Sequence, residues 1–343
     1  MRGTATNPRC SRWVRIPGQI GVAFVRLNLP IMDQLTNCKR ILIAGMGGGL
    51  DVFCGLPLYF ELRDRGYTVY LGNLSFSETA LRRLKDARRL AANLYGVCAY
   101  HTGRFPSFPE IHLARWMRDV RAEDITIWCF INAGLGSLLE GYRALVRELS
   151  VDAIILVDGG MDSLSRGDEP EMGSVLEDAL SLAAVRELQE VPVRLTCCSG
   201  FGIEREVSHA HILENIAALT ADRAFLGACS LAPQMHAFQQ YEQALLYVQR
   251  QRFQQCSVIN SSIVSAARGE YGDFHLTERT AGTKLHISPL MSILWFFELA
   301  GVAERNLFLP ALLHTATRPE AMAALYTIRS RAQLRPNRRV EIS

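Results

Sequence analysis

Nowhere in the 343 residues does an uncharged apolar window reach the roughly 18 residues that a membrane-spanning helix needs, so no bilayer crossing is expected. Neither sign of charge dominates. The formal charge is +3, and Arg2, Arg9, Arg12, Arg15 and Arg26 all precede the first acid, Asp33, which leaves the rest of the chain slightly acidic and argues against a nucleic-acid partner. The nine cysteines show no paired spacing, so a disulfide framework is not expected. They read as small apolar residues of a reducing, cytoplasmic interior. There is no internal repeat and no low-complexity linker, which favours a single compact unit. A complete dinucleotide fingerprint is missing, as is a G-x-S-x-G context for Ser199, so hydride transfer and a nucleophile elbow lack support.

What the chain does have is apolar residues, at 49%, enough to bury a sizeable core. KRILIAG (39–45), YTVYLGN (67–73), ITIWCFI (125–131), DAIILVD (152–158), VRLTCCS (193–199) and AFLGACS (224–230) read as strands. They alternate with stretches of helical periodicity, and strands apolar on both faces imply a sheet covered on both sides. The expected fold is α/β: a Rossmann-like, doubly wound, mostly parallel sheet with helices on both faces and a helical C-terminal extension. Ser77 caps an expected helix from Glu78 to the stop at Gly96, and Ser174 with Glu177 forms a capping box. After a long helix from about Pro233 through Arg252, a second apolar helix is expected around Leu290–Leu299. Residues 1–31, Arg-bearing and acid-free, read as an extension outside the domain, and an over-long start with Met32 as the true initiator is preferred to a transit segment. The domain then spans residues 32–330, with a basic tail over 331–343.

In such a sheet ligands bind where strand C-termini feed loops, so loop composition maps the site. After the first strand, GMGGGLDV places Gly47, Gly48 and Gly49 ahead of Asp51, which suggests either a cradle for a phosphate or carboxylate or a tight structural turn. After 152–158, Asp158 closes the strand, Gly159 and Gly160 turn, and Asp162, Asp168 and Glu169 follow. Carboxylates gathered at one strand end raise one another's pKa or recruit a divalent cation, here through Asp158 and Asp162. SGFGIEREVS adds Ser199 and Gly200, while His209 and His211, two apart on a helix, point to different faces and read as surface residues. The densest polar stretch, ARGEYGDFHLTER, supplies Glu270, His275 and Arg279, with Asp273 and His275 spaced for an acid–base pair on a strand face.

MGGGLDVFCGLPLYFELRDRG, VDGGMDSLSRGDEPEMGSVLEDALSLAAV and ARGEYGDFHLTERTAGTKLHISPLMSILWFFEL together resemble the archaeal, bacterial and fungal proteins grouped as domain of unknown function 1152, over about Lys39 to Leu325. The resemblance implies a Rossmann-like sheet and one site shared by the three segments. It departs at Ile203–Glu206, where a different turn is expected, and puts a role for that loop in doubt. The function expected is hydrolysis or group transfer on a small polar metabolite, phosphorylated or nucleotide-like in one version. Catalytic residues would be Asp158, Asp162, Glu270 and His275. A non-catalytic sensing or scaffold protein with the same pocket is the alternative, and homo-oligomerisation is left open.

Overall fold

The structure, a computed structural model, describes residues 25–103, 107–204 and 206–338. It opens with β1 (Arg40–Gly45), α1 (Asp51–Cys54), α2 (Leu56–Asp64), β2 (Thr68–Ser75), α3 (Glu78–Arg83), β3 (Arg88–Ala91) and β4 (Leu94–Val97). The middle third holds α4 (Pro109–Arg121), β5 (Ile127–Ile131), α5 (Leu135–Leu149), β6 (Ala153–Asp158), α6 (Val175–Arg186), β7 (Val193–Cys198) and α7 (His209–Ala221). The remainder comprises β8 (Phe225–Ser230), α8 (His236–Gln249), α9 (Val258–Ala267), β9 (Gly272–Asp273), β10 (His286–Ile287), β11 (Ile293–Glu298), α10 (Leu299–Arg305), α11 (Leu309–Leu312) and α12 (Arg318–Arg331).

Nine strands form one sheet in the order β3-β4-β5-β2-β1-β6-β7-β11-β8, whose five central members run parallel. The strand period of two sorts the core. Ile41, Ile43, Ile155 and Val157 face α2, α4, α8 and α9, whereas Leu42, Ala44, Ile154 and Leu156 face α5, α6 and α10. That is the doubly wound α/β arrangement expected from the apolar strands, and α10 to α12 form its helical C-terminal end. Among the described residues no helix is long and apolar enough to cross a membrane, and the eight described cysteines are free thiols.

Several local expectations are corrected. The helix expected from Glu78 to Gly96 ends at Arg83, and the rest becomes the β3–β4 hairpin. Leu94, Tyr95 and Val97 are buried as β4 pairs antiparallel with β5, so sheet extension overrides local helix propensity. The apolar run expected as a helix at 290–299 is instead β11, inserted antiparallel between β7 and β8. A short run rich in Ile, Trp and Phe fits either element by periodicity, and the two open strand edges decide it. Ser174 makes no side-chain cap bond, and the Glu177 carboxylate, instead of closing a capping box, is held by Arg318 and Asn132.

Both expected domain limits also move. Leu27, Leu29 and Ile31 lie in the core at 0–2% exposure, Val25 bridges Met235, and the Leu27 N–H donates to Glu61 Oε2. Residues 25–31 therefore belong to the domain, while residues 1–24 fall outside the described ones. At the other end, Arg335 ties the supposed tail to Asp168 and Glu169.

Candidate functional site

Chain order reverses direction between β1 and β6: from β1 the parallel strands run outward to β2 and β5, and from β6 outward to β7. Such a switch point leaves a crevice beyond the strand ends. Gly45 pairs in register with Val157, and the Met46 N–H donates to Val157 O at 2.9 Å, so the Gly45–Asp51 and Asp158–Asp162 turns sit side by side at one sheet edge.

Four buried carboxylates and a half-buried one converge there. Asp51 begins α1, and its Oδ2 accepts the Gly47 N–H at 2.8 Å. Asp158 ends β6 and accepts the Ser163 N–H at 3.1 Å. Asp178 projects from the first turns of α6. One oxygen from each of these three lies within 4.8 Å of the others, and Asp178 Oδ1 is buried with no hydrogen-bond partner. Asp162, in the single 3-10 turn after β6, and Glu204, whose Oε2 accepts the Met161 N–H at 3.0 Å, complete the set. They line a cavity of about 490 Å³ whose rim carries Phe76, Glu177 and Arg318.

The glycines of the two turns are explained by the same carboxylates. A Cβ on Gly47 would stand 2.7 Å from Asp178 Oδ1, one on Gly159 2.7 Å from Asp51 Oδ1, and one on Gly160 2.5 Å from Glu204 Oε2. Gly173 repeats the relation with Asp162 Oδ2 at 2.8 Å. Each missing side chain makes room for an acid, which is why an apolar strand runs directly into Gly-Gly and then acids.

Removal from water, followed by mutual repulsion, disfavours ionisation throughout the cluster. Burial and then the nearby Asp158 push Asp162 up to about 8. Asp158 itself is pushed up to about 6 by burial, against hydrogen bonds from Ser163. Asp51, Asp178 and Glu204 are raised well above the carboxylate range, by burial first and by the other acids second. Arg318, the basic group on the wall, is already engaged through Nε and Nη2 with Glu177 Oε1, at 3.0 and 2.8 Å. Three buried oxygens at this separation suit a hard divalent ion, since ligand distances of about 2.1 Å for Mg²⁺ or 2.4 Å for Ca²⁺ place opposite ligands about 4.2 or 4.8 Å apart.

The expected site residues divide. Gly47, Gly48, Asp51, Asp158, Gly159 and Asp162 line the cavity together, and Gly160 backs Glu204. In the glycine turn the Gly47 N–H is engaged by Asp51 and the Gly49 N–H by Leu74 O, so two of the donors expected to cradle an anion are already taken, one of them by the chain's own carboxylate. Asp168 and Glu169 do not reach the cavity. Arg335 Nε pairs with Asp168 Oδ1 at 2.9 Å and its Nη2 with Glu169 Oε1 at 2.6 Å, an arrangement that anchors the loop from outside. Ser199 lies buried beneath the site, its hydroxyl donating to Asp158 O at 3.4 Å, and Gly200, at φ +77°, turns the chain after it. Neither Glu270 nor His275 is on the wall. His275 bonds Asp273 Oδ1 and Thr280 Oγ1, each at 3.0 Å, within its own loop, while Arg279 lines a neighbouring cavity of about 330 Å³. His211 is not a surface residue: it is fully buried, with Nε2 3.1 Å from Pro336 O.

Asp178, Glu204, Glu177 and Arg318 were not expected in the site. Glu177 reads as a capping-box residue and Asp178 is given no role, although Asp178 stands next to apolar positions on a helix whose first eleven residues are all buried, an all-round burial that leaves no solvated face. Glu204 belongs to the loop whose role the family pattern put in doubt, and Arg318 arrives from 141 residues beyond Glu177.

Comparison with known proteins adds a family and no activity. No curated protein and no solved structure gives a significant match. The family model "Protein of unknown function (DUF1152)" matches residues 96–340, which takes in the Asp158–Asp178 and Glu204 segments and leaves the first glycine turn outside. With most of its length matched, the chain belongs to the DUF1152 family of proteins of unknown function.

Proposed function

We infer that the protein is an enzyme that holds a divalent cation of the Mg²⁺, Mn²⁺ or Ca²⁺ class on Asp51, Asp158 and Asp178 and carries out hydrolysis or group transfer on a small polar metabolite. The observation that carries this reading is the triangle of buried oxygens within 4.8 Å, contributed by three separate elements, with Asp178 Oδ1 lacking any partner. A buried acceptor without a donor is costly, and a cation would satisfy it together with its neighbours. All-oxygen ligation favours hard cations over zinc or copper. The cation would polarise a bound ester, amide or glycosidic group, and Asp162, buried beside the three ligand carboxylates, would exchange a proton with water or a substrate hydroxyl.

Titration calorimetry with MgCl₂, MnCl₂ and CaCl₂ tests the cation site. Micromolar to millimolar binding by at least one ion, lost in Asp178→Asn, is the expected result, and no binding by any of the three refutes it. A panel of small phosphorylated, glycosylated and amide metabolites, assayed with that ion, then tests turnover. Binding without turnover across the panel would favour the sensing protein over the enzyme.

A further inference from the structure

The acidic cavity has a neighbour of opposite character. Phe76 lines both, and its ring lies against the glycine turn, so that a Cβ on Gly48 would be 2.4 Å from Cε1. The second cavity, about 330 Å³, is walled by Gly49, Leu50, Ser77, Gln254, Gln255 and Arg279. Among its described lining residues there is no carboxylate. Arg279 is exposed, with its guanidinium steadied by a hydrogen bond from Nη1 to Cys256 O. Gln254 Oε1 accepts the Phe108 N–H at 2.9 Å, which fixes the amide and leaves Nε2 buried without a partner. Phe76, 64% exposed between the two cavities, is an apolar shelf that a spanning ligand would cover.

We propose that the second cavity is an oxyanion subsite, in which Arg279 and the Gln254 amide hold a carboxylate or phosphate of a ligand whose other end reaches the acidic cavity across Phe76. Charge decides the direction. An oxyanion in the acidic cavity would meet Asp51, Asp158, Asp162, Asp178 and Glu204, whereas beside Arg279 it meets a fork of N–H donors that matches it. The substrate class follows: a small molecule with a chelating, polar reacting end and an acidic group joined by a spacer that crosses the Phe76 ring. This rests on the reading of the acidic cavity as the reacting site, and the subsite is measured on metal-free protein so that the two can fail separately.

The probes are inorganic phosphate, acetate and phenyl phosphate, titrated into wild type, Arg279→Gln, Gln254→Leu and Phe76→Ala, with Mn²⁺ titrated separately. Wild type is expected to bind phosphate, acetate or both, identifying the oxyanion. Arg279→Gln should weaken that binding by about tenfold or more, the loss of one charge-assisted pair, with Mn²⁺ affinity unchanged. Gln254→Leu should weaken it less, and phenyl phosphate should outbind phosphate in wild type but not in Phe76→Ala. Absence of oxyanion binding, equal binding by Arg279→Gln, or phosphate binding that requires Mn²⁺ and disappears in Asp178→Asn would each overturn the subsite. Oxyanion binding lost in Arg279→Gln, in a protein that takes up no Mn²⁺, would leave the subsite standing and remove the cation reading.

Discussion

Replacing Asp158 by Asn removes one charge from the cluster while keeping the side-chain shape, and the structure sets the sign of the result at each pH. Burial raises Asp158 to about 6 in the folded protein, roughly two units above its unfolded value, which is worth about 3 kcal/mol. Because the folded state holds the proton more tightly, that stabilisation is fully present below about pH 4 and is lost as pH rises through about 6. Metal-free wild type should therefore weaken across this window. The Asn variant lacks this slope, and its side-chain oxygen can still accept the Ser163 N–H. At pH 8 without cation the variant should be about 3 kcal/mol more stable than wild type, raising Tm by roughly 4 °C, and at pH 4, where both side chains are neutral, the two should differ by less than about 1 kcal/mol. Mn²⁺ at 100 times its Kd should add about 2.7 kcal/mol to wild type and far less to the variant. Thermal melts from pH 4 to pH 8, with and without MnCl₂, read both effects. Parallel pH curves for the two proteins, or equal stabilisation of both by Mn²⁺, would refute the crowded-carboxylate account.

Gly160→Ala should push Glu204 away from the Met161 N–H, since the new Cβ would stand 2.5 Å from Glu204 Oε2; chemical denaturation should show a loss of about 1–3 kcal/mol, and an unchanged midpoint would mean that the loop yields freely. Arg335→Ala strands the buried Glu169, whose burial opposes ionisation while hydrogen bonds from Asn215 and the Arg166 and Gly167 N–H groups hold its carboxyl below the ordinary range; a loss of about 2–4 kcal/mol is expected, read as a lower Tm. A chain begun at Met32 loses Leu27, Leu29 and Ile31 from the core, and at about 1.5–3 kcal/mol for each buried side chain it should melt many degrees lower or fail to fold. His275→Ala should leave Mn²⁺ affinity unchanged in calorimetry, because the imidazole is spent within its own loop.

The parallel core was legible in the sequence because the central strands are mostly apolar on both faces, β6 (Ala153–Asp158) at every position before its end, a pattern that a sheet covered on both faces requires. Strand ends followed by glycines and acids then located one wall of the site, since ligands of doubly wound sheets gather at that edge. What pattern alone could not settle was any segment whose state depends on a distant edge: Leu94–Val97 and Ile293–Glu298 are strands because β5, β7 and β8 offered unpaired backbone groups to them. The same limit applied to the acids. Asp158 and Asp162 announce themselves beside their glycines, but Asp168 and Glu169, equally acidic and only a few residues on, are turned outward to Arg335, while Asp178 and Glu204 are turned inward. Local sequence sets how many carboxylates a loop carries. Which of them share a cavity depends on contacts across many residues, as when the glycines of one turn clear space for the acid of another, and that geometry exists only once the chain has folded.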